Sequence, residues 1–237
     1  MINLSNILLE YSKKGLELIN PIEVKSGKDA SVFCVNSAQG LLALKVYHDE
    51  KLHSVNYYFE YANQKVLPPS IQRAIKSGNK IGKQTLQMMR IDQEFRMLKK
   101  FYAANVFIPK PIATASNTVL MEYLGELNNP ALRLVDVELT LPQAEDALDE
   151  ILWSMEQMLA LNFVHGDLSA YNILYWNGKP YIIDFPQVIN IREHAEPFKV
   201  FRRDLHNVCD YFKKYMEINV DDLISDFKRY FKYIDEK

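Results

Sequence analysis

The dipeptide Asn177-Gly178 stands between two short apolar runs, residues 173–175 and 181–183. Both central positions of a type I′ turn need a positive φ, which Asn and Gly tolerate, and that turn matches the twist of two antiparallel strands. A β-hairpin is therefore predicted here. Helical patterns flank it. Upstream, Thr140 and Gln143 have capping-box spacing, and Leu148, Ile151, Leu152, Met155 and Leu159 follow on one face. Downstream, Phe198, Phe201, Leu205, Val208, Phe212 and Tyr215 step by three and four, and a last short helix carries Leu223, Phe227 and Tyr230. A hairpin lodged between helices argues against a doubly wound parallel sheet.

The first part of the chain has a different texture. Leu4, Ile7, Leu8, Tyr11, Leu16 and Ile19 lie near helical spacing, interrupted by Gly15 and ended by Pro21. Residues 22–36 read as strand, a turn at Ser26-Gly27-Lys28, and a second strand. After Gly40, Leu42, Leu44 and Val46 alternate with Ala43, Lys45 and Tyr47, the period of a half-buried strand. From His48 to about Thr85 the chain is polar, and Pro68-Pro69, Gly78 and Gly82 interrupt any regular pattern; part helix and part mobile loop is expected. Ile91, Phe95, Leu98 and Tyr102 form a helical stripe that Pro109 and Pro111 end, and residues 117–123 restore a strand. Strands first and helices later predict a two-lobed α+β fold. The expected N-lobe covers about 1–121, with a basic flexible insertion near 63–85, and the C-lobe about 126–237 of a single domain.

The chemistry concentrates in His165-Gly166-Asp167-Leu168-Ser169-Ala170-Tyr171-Asn172 and the later Ile182-Ile183-Asp184-Phe185. Asp167 and Asn172 share a loop after a helix, and Asp184 ends the hairpin that follows. Phosphoryl transfer needs such a set: one carboxylate to orient and deprotonate the attacking hydroxyl, and an amide oxygen with a second carboxylate to hold Mg²⁺ against phosphates. Isolated Asp and Asn are common turn residues, so the helix–loop–hairpin context carries this reading.

HGDLSAYNIL with YIIDFPQ resembles the RIO family of atypical protein kinases, whose catalytic loop carries HxDLSxxN and whose metal-binding segment reads IIDxxQ. Lys25-Ser26-Gly27-Lys28-Asp29-Ala30-Ser31-Val32-Phe33 resembles that family's phosphate-binding loop, STGKEAxVY, and not the GxGxxG of ordinary kinases. Lys45 stands where the family has its phosphate-contacting lysine. Phe201-Arg202-Arg203-Asp204-Leu205-His206-Asn207 is similar to its closing helix, so the matches run over about residues 25–212. Asp29, Ala170 and Pro186 depart from the pattern without removing a ligand or the base.

The resemblance implies Asp167 as base and Asn172 and Asp184 as metal ligands, with Asp184 also a candidate for transient phosphorylation in an ATPase switch. It implies ATP contacts at Lys25, Ser26, Gly27, Lys28, Val32 and Lys45, and a hinge at Met121, Glu122 and Tyr123 that reads adenine. Glu94 borders the buried stripe of its helix, where pairing with Lys45 would aim the ammonium at phosphates; the competing reading is a surface glutamate among Arg90, Asp92 and Arg96. ATP and Mg²⁺, with Mn²⁺ as a substitute, are the implied cofactors. Serine autophosphorylation is the implied activity, and a protein acceptor or ribosomal precursor particle the implied partner.

Two alternatives stay open. Small-molecule phosphotransferases of the aminoglycoside or choline kinase type also carry HGDxxxxN and IDF, but need a larger helical region than the short stretch after Asp184. A pseudokinase scaffold would bind nucleotide without using Asp167. Too little chain precedes residue 20 for a winged-helix domain, which suggests the branch without one or a divergent prokaryotic member. With 28 Lys and Arg against 30 Asp and Glu, the net charge is −2, so the whole surface is not a nucleic-acid footprint. A local one at Arg73, Lys76, Lys80 and Lys83 is a candidate for an anionic partner. Cys34 and Cys209 lack CxxC spacing, so neither a zinc cluster nor a disulfide framework is expected. No signal peptide and no membrane-spanning run is legible, and the expected location is cytoplasmic.

Overall fold

The computed structural model describes residues 2–48 and 67–231. The chain divides into two units, Met1–Met97 with Lys110–Tyr123, and Leu98–Pro109 with Leu124–Lys237.

The first unit opens with helix α1 (Leu4–Ser12), capped by the Asn3 side chain, which accepts from the Asn6 N–H at 3.2 Å. Strands β1 (Ile19–Ser26), β2 (Ala30–Ser37) and β3 (Gly40–Tyr47) follow, then helices α2 (Pro69–Ser77) and α3 (Lys80–Ala103), and strands β4 (Pro111–Ala115) and β5 (Thr118–Glu122). The sheet order is β1-β2-β3-β5-β4, antiparallel throughout. The alternation in β3 sets side-chain direction as the pattern predicts, but the strand is covered on both faces and not half-buried, since Ala43 and Tyr47 are buried as well. Leu42, Leu44 and Val46 enter a core with Tyr11, Phe33, Val35 and Leu120, while Lys45 faces the other way. Pro21 does not end a helix there; it lies inside the edge strand β1 at a break in register, where a missing N–H costs nothing. β4, which the prolines at 109 and 111 concealed, forms the far edge.

The polar stretch expected to be partly irregular is helical over 69–77 and again from Lys80, so α3 starts well before the apolar stripe at Ile91. The two glycines taken as breakers have other roles. Gly78 ends α2 in the left-handed region, φ 63°. Gly82 lets α3 press on α2: a Cβ there would sit 2.1 Å from the Ala74 carbonyl oxygen. Ile75, Leu86 and Met89 form the small core of this helix pair. Positions 49–66, which include the start of the predicted insertion and most of the first half of that polar stretch, lie outside the described residues.

Among the described residues, the second unit holds short paired strands and three α-helices of its own. Strands β6 (Gly125–Glu126) and β7 (Asn129–Pro130) pair, β8 (Leu132–Arg133) follows, and helix α4 (Leu141–Ala160) starts at the predicted capping box, with the Thr140 N–H on Gln143 Oε1 at 2.9 Å. Then come β9 (Phe163–Val164), a 3₁₀ turn (Ala170–Asn172), β10 (Ile173–Trp176), β11 (Lys179–Ile182) and β12 (Ile189–Asn190). Helices α5 (Pro197–Phe212) and α6 (Val220–Phe227) and a 3₁₀ turn (Lys228–Phe231) close the unit. The β10–β11 turn has φ 49° at Asn177 and 77° at Gly178, the type I′ values the dipeptide predicts. Phe101 packs on Phe163 and Phe185 with centroids 5.9 and 5.5 Å apart, and Phe201 meets Phe227 and Phe231 at 5.2 and 5.5 Å.

Candidate active site

Lys45 emerges from the sheet face opposite the first unit's core, and α3 carries Glu94 to it. Nζ and Oε1 are 3.1 Å apart, with the two side chains 16% and 5% exposed. This pair is the predicted one, and the surface reading of Glu94 is wrong. The Tyr47 ring lies 5.0 Å from the ammonium and 5.9 Å from the Arg90 guanidinium carbon. Burial, reinforced by the Glu94 charge, pushes the Tyr47 hydroxyl well above its ordinary pKa, so it stays neutral. Val32 faces Lys45 directly across the β2–β3 ladder.

The end of β1 with the turn to β2 exposes Lys25, Ser26, Gly27 and Lys28. It is tied down from β3: the His48 N–H donates to the Asp29 carbonyl at 2.9 Å, and the His48 ring lies 3.3 Å from the Lys28 carbonyl and 3.0 Å from Ser31 Oγ. Ser31 Oγ is in turn 2.9 Å from Ser26 Oγ. Gly27 does not occupy the left-handed region, and an added Cβ would make an ordinary 3.4 Å contact with the Ala30 carbonyl. Met121 and Glu122 end β5 and Tyr123 follows; the Glu122 N–H already donates to the Lys110 carbonyl at 2.8 Å.

In the second unit the backbone of the candidate catalytic loop, residues 165–172, is held peptide by peptide. Gly166 donates its N–H to Asp204 Oδ2 at 2.7 Å, and its carbonyl accepts from the Arg203 guanidinium. The Asp167 N–H meets His165 Nδ1 at 3.3 Å, its carbonyl accepts from Asn172 Nδ2 at 2.8 Å, and the Leu168 carbonyl accepts from Asn207 Nδ2 at 3.2 Å. Gly166 has φ 85°, and a Cβ would fall 2.2 Å from the Gln187 carbonyl oxygen, so no other residue fits. The Gln187 amide reaches Asp167 Oδ2 at 3.2 Å.

His165 is buried, and burial lowers its pKa to about 4. It is neutral near pH 7, and its two contacts set the tautomer: Nε2–H donates to the Ile183 carbonyl at 3.2 Å, leaving Nδ1 to accept. Burial pushes the Asp204 carboxyl the other way, up to about 6, although the Gly166 N–H and Arg203 oppose the rise. The Ile183 N–H donates to the Asn172 carbonyl at 2.9 Å, which brings the two predicted metal-binding segments side by side. Asp184 itself has φ 67°, a conformation that costs a non-glycine residue about 1 kcal/mol or more and recurs at functional sites.

Among the described residues no three His, Cys, Asp or Glu side chains cluster to hold a metal. Asn172 and Asp184 instead offer one amide oxygen and one carboxylate. The Asn172 amide N–H₂ is turned to the Asp167 carbonyl, which leaves Oδ1 as an acceptor. That all-oxygen, incomplete set fits Mg²⁺, which keeps waters and phosphate oxygens as its other ligands.

The sequence matched Gln187, Arg203, Asp204 and Asn207 to motifs of the family without assigning any of them a role at the site. Asp204 did carry a signal: it falls three residues after Phe201 and four before Val208, a carboxylate on the buried stripe of a helix, which demands partners.

The RIO domain profile matches residues 31–223. The chain belongs to the RIO family. A RIO-type serine/threonine-protein kinase Rio1 of Haloferax volcanii is 33% identical over 136 residues, covering 56% of this chain and 46% of the relative. The Rio1 of Thermoplasma acidophilum is 33% identical over 144 residues, covering 56% and 74%, and RIO1 of Chaetomium thermophilum is 30% identical over 206 residues, covering 81% and 38%. This RIO chain thus matches less than half the length of the Haloferax and Chaetomium relatives. Its fold is also that of a crystallised kinase domain, with a TM-score of 0.55 at 13% identity over 84% of this chain and 63% of that one. Family membership selects the RIO branch over the small-molecule phosphotransferases. No helix among the described residues is long and apolar enough to cross a membrane.

Proposed function

We propose that this RIO domain transfers the γ-phosphoryl group of ATP to serine hydroxyls, its own included, and hydrolyses ATP slowly. The observation that carries the reading is the bond from Asn172 Nδ2 to the Asp167 carbonyl, which couples the candidate metal ligand to the candidate base. The relatives' names, serine/threonine-protein kinases, support the same reaction.

In this reading Asp167 orients the acceptor hydroxyl and takes its proton. Lys45, kept extended by Glu94, neutralises phosphate oxygens, the 25–32 loop covers them, and residues 121–123 meet the adenine. Asn172 and Asp184 would hold Mg²⁺, which supplies charge neutralisation on the phosphates when bound. The family resemblance alone suggests a ribosomal precursor particle as partner, Mn²⁺ as a substitute ion and transient phosphorylation of Asp184, while the charges of Arg73, Lys76, Lys80 and Lys83 make that stretch the candidate for an anionic partner.

Incubation with γ-labelled ATP and Mg²⁺ tests this. The expected result is Mg²⁺-dependent label on serine and slow phosphate release, with any hydroxylamine-sensitive label assigned to an acyl phosphate at Asp184. Binding of Mg·ATP without transfer or hydrolysis would identify a pseudokinase scaffold instead.

A further inference from the structure

The geometry points to Gln187 as the residue that orients the proposed base, Asp167; the inference rests on the phosphoryl-transfer reading above. An ionised carboxylate only accepts, so the Gln187 group 3.2 Å from Asp167 Oδ2 is its N–H₂. With Oδ2 engaged, and Oδ1 without a hydrogen bond among the described residues, the carboxylate has one oxygen held and one presented to an acceptor hydroxyl.

The donor itself is held. Its carbonyl packs against Gly166 so closely that a Cβ there would be 2.2 Å away, and two residues later Ile189 pairs with Val164 in the β9–β12 ladder. Residue 187 therefore touches two successive catalytic-loop residues, Gly166 through its backbone and Asp167 through its side chain. Both Gln187 and Asp167 are exposed, so water competes for this bond in the resting protein and it adds little to stability. Its effect is on orientation, to which transfer is sensitive: a misplacement of about 1 Å can cost roughly 100-fold.

The test is a comparison of Gln187→Ala, which deletes the donor, with Gln187→Glu, which keeps the shape and puts a second carboxylate against the first. Positioning predicts a fall in kcat of about tenfold for Ala, with KM for ATP unchanged, and a larger fall for Glu. A packing role predicts the reverse order, because Glu is nearly isosteric with Gln. Wild-type kcat in Gln187→Ala, or Glu better tolerated than Ala, overturns the inference.

A second readout is independent of turnover. Gln187→Glu should lower Tm by about 1–2 °C in the wild-type background and not in the Asp167→Asn background, where the like charges no longer face each other. Equal shifts in both backgrounds mean that the two side chains do not meet. If Asp167→Asn keeps wild-type transfer, the base assignment fails, and the Tm cycle still decides whether Gln187 holds residue 167.

Discussion

The lysine side of this RIO domain and its catalytic loop are held by different means. Lys45 and Glu94 meet side chain to side chain, on a β-strand and a helix whose own backbones are satisfied by regular ladders and turns. The catalytic loop has no regular structure from 165 to 169, and the backbone of Gly166, Asp167 and Leu168 is instead bound by His165, Asn172, Arg203, Asp204 and Asn207. The lesson is that a long side chain on a strand is aimed by side-chain pairing, whereas an irregular backbone needs a side-chain partner for almost every peptide group, whether that partner is buried, as His165 and Asp204 are, or exposed, as Arg203 and Asn207 are.

The sharpest separation of positioning from chemistry is Asp167→Asn. Transfer should fall by about 10²–10⁴-fold, read by labelled-phosphate transfer. Nucleotide affinity should stay close to wild type in calorimetry, because the backbone partners do not use this carboxylate. A comparable fall in ATP affinity would break the distinction.

Lys45→Ala comes next. It leaves the buried Glu94 carboxylate without its cation and should cost about 3 kcal/mol in denaturant unfolding, with loss of ATP binding. Replacing both, Lys45→Met with Glu94→Leu, should restore stability to within about 1 kcal/mol and leave binding lost. A double variant as unstable as the single one would show that the lysine side is as deeply interlocked as the loop.

Gly166→Ala should cost at least about 2 kcal/mol, since it meets both the positive φ and the Gln187 carbonyl. The melting temperature should drop by roughly 4–8 °C. An unshifted melt would mean the loop adapts as freely as an exposed turn.

The smallest effect concerns pH. His165 falls from 6.5 to about 4 on folding, so its contribution is present above pH 6.5 and is lost as pH falls through about 4. Asp204 rises from 3.8 to about 6, so its contribution is present below pH 3.8 and is lost as pH rises through about 6. Each shift corresponds to roughly 3 kcal/mol, with opposite signs over the same window. The two terms should largely offset each other in the wild type from pH 4 to 6. Asp204→Asn should expose the His165 term as a rise of stability with pH, measured by denaturant titration at fixed pH steps. A variant with the pH dependence of the wild type would remove Asp204 and His165 as the compensating pair.

What could be read without coordinates was local. The alternation from Leu42 to Tyr47 turned Lys45 away from the core, the stripe around Glu94 set that side chain at the edge of a buried face, and Asn177-Gly178 closed the hairpin that returns Asp184 toward Asn172. Each depends on a period or on a dipeptide's allowed φ, and neither needs distant contacts. The helix over 69–77 and the early start of α3 were hidden, because Gly78 and Gly82 act through a cap and a close helix crossing that only the folded chain reveals. The grip on the catalytic loop was hidden for the same reason: Gly166 and Asp204 are 38 residues apart, and Asp167 and Gln187 are 20. By itself the sequence singled out the candidate residues for the chemistry and determined on which local elements they sit. Only the tertiary structure decided what holds them, because a buried polar group must be paired and its partner can come from any part of the chain that packing brings near.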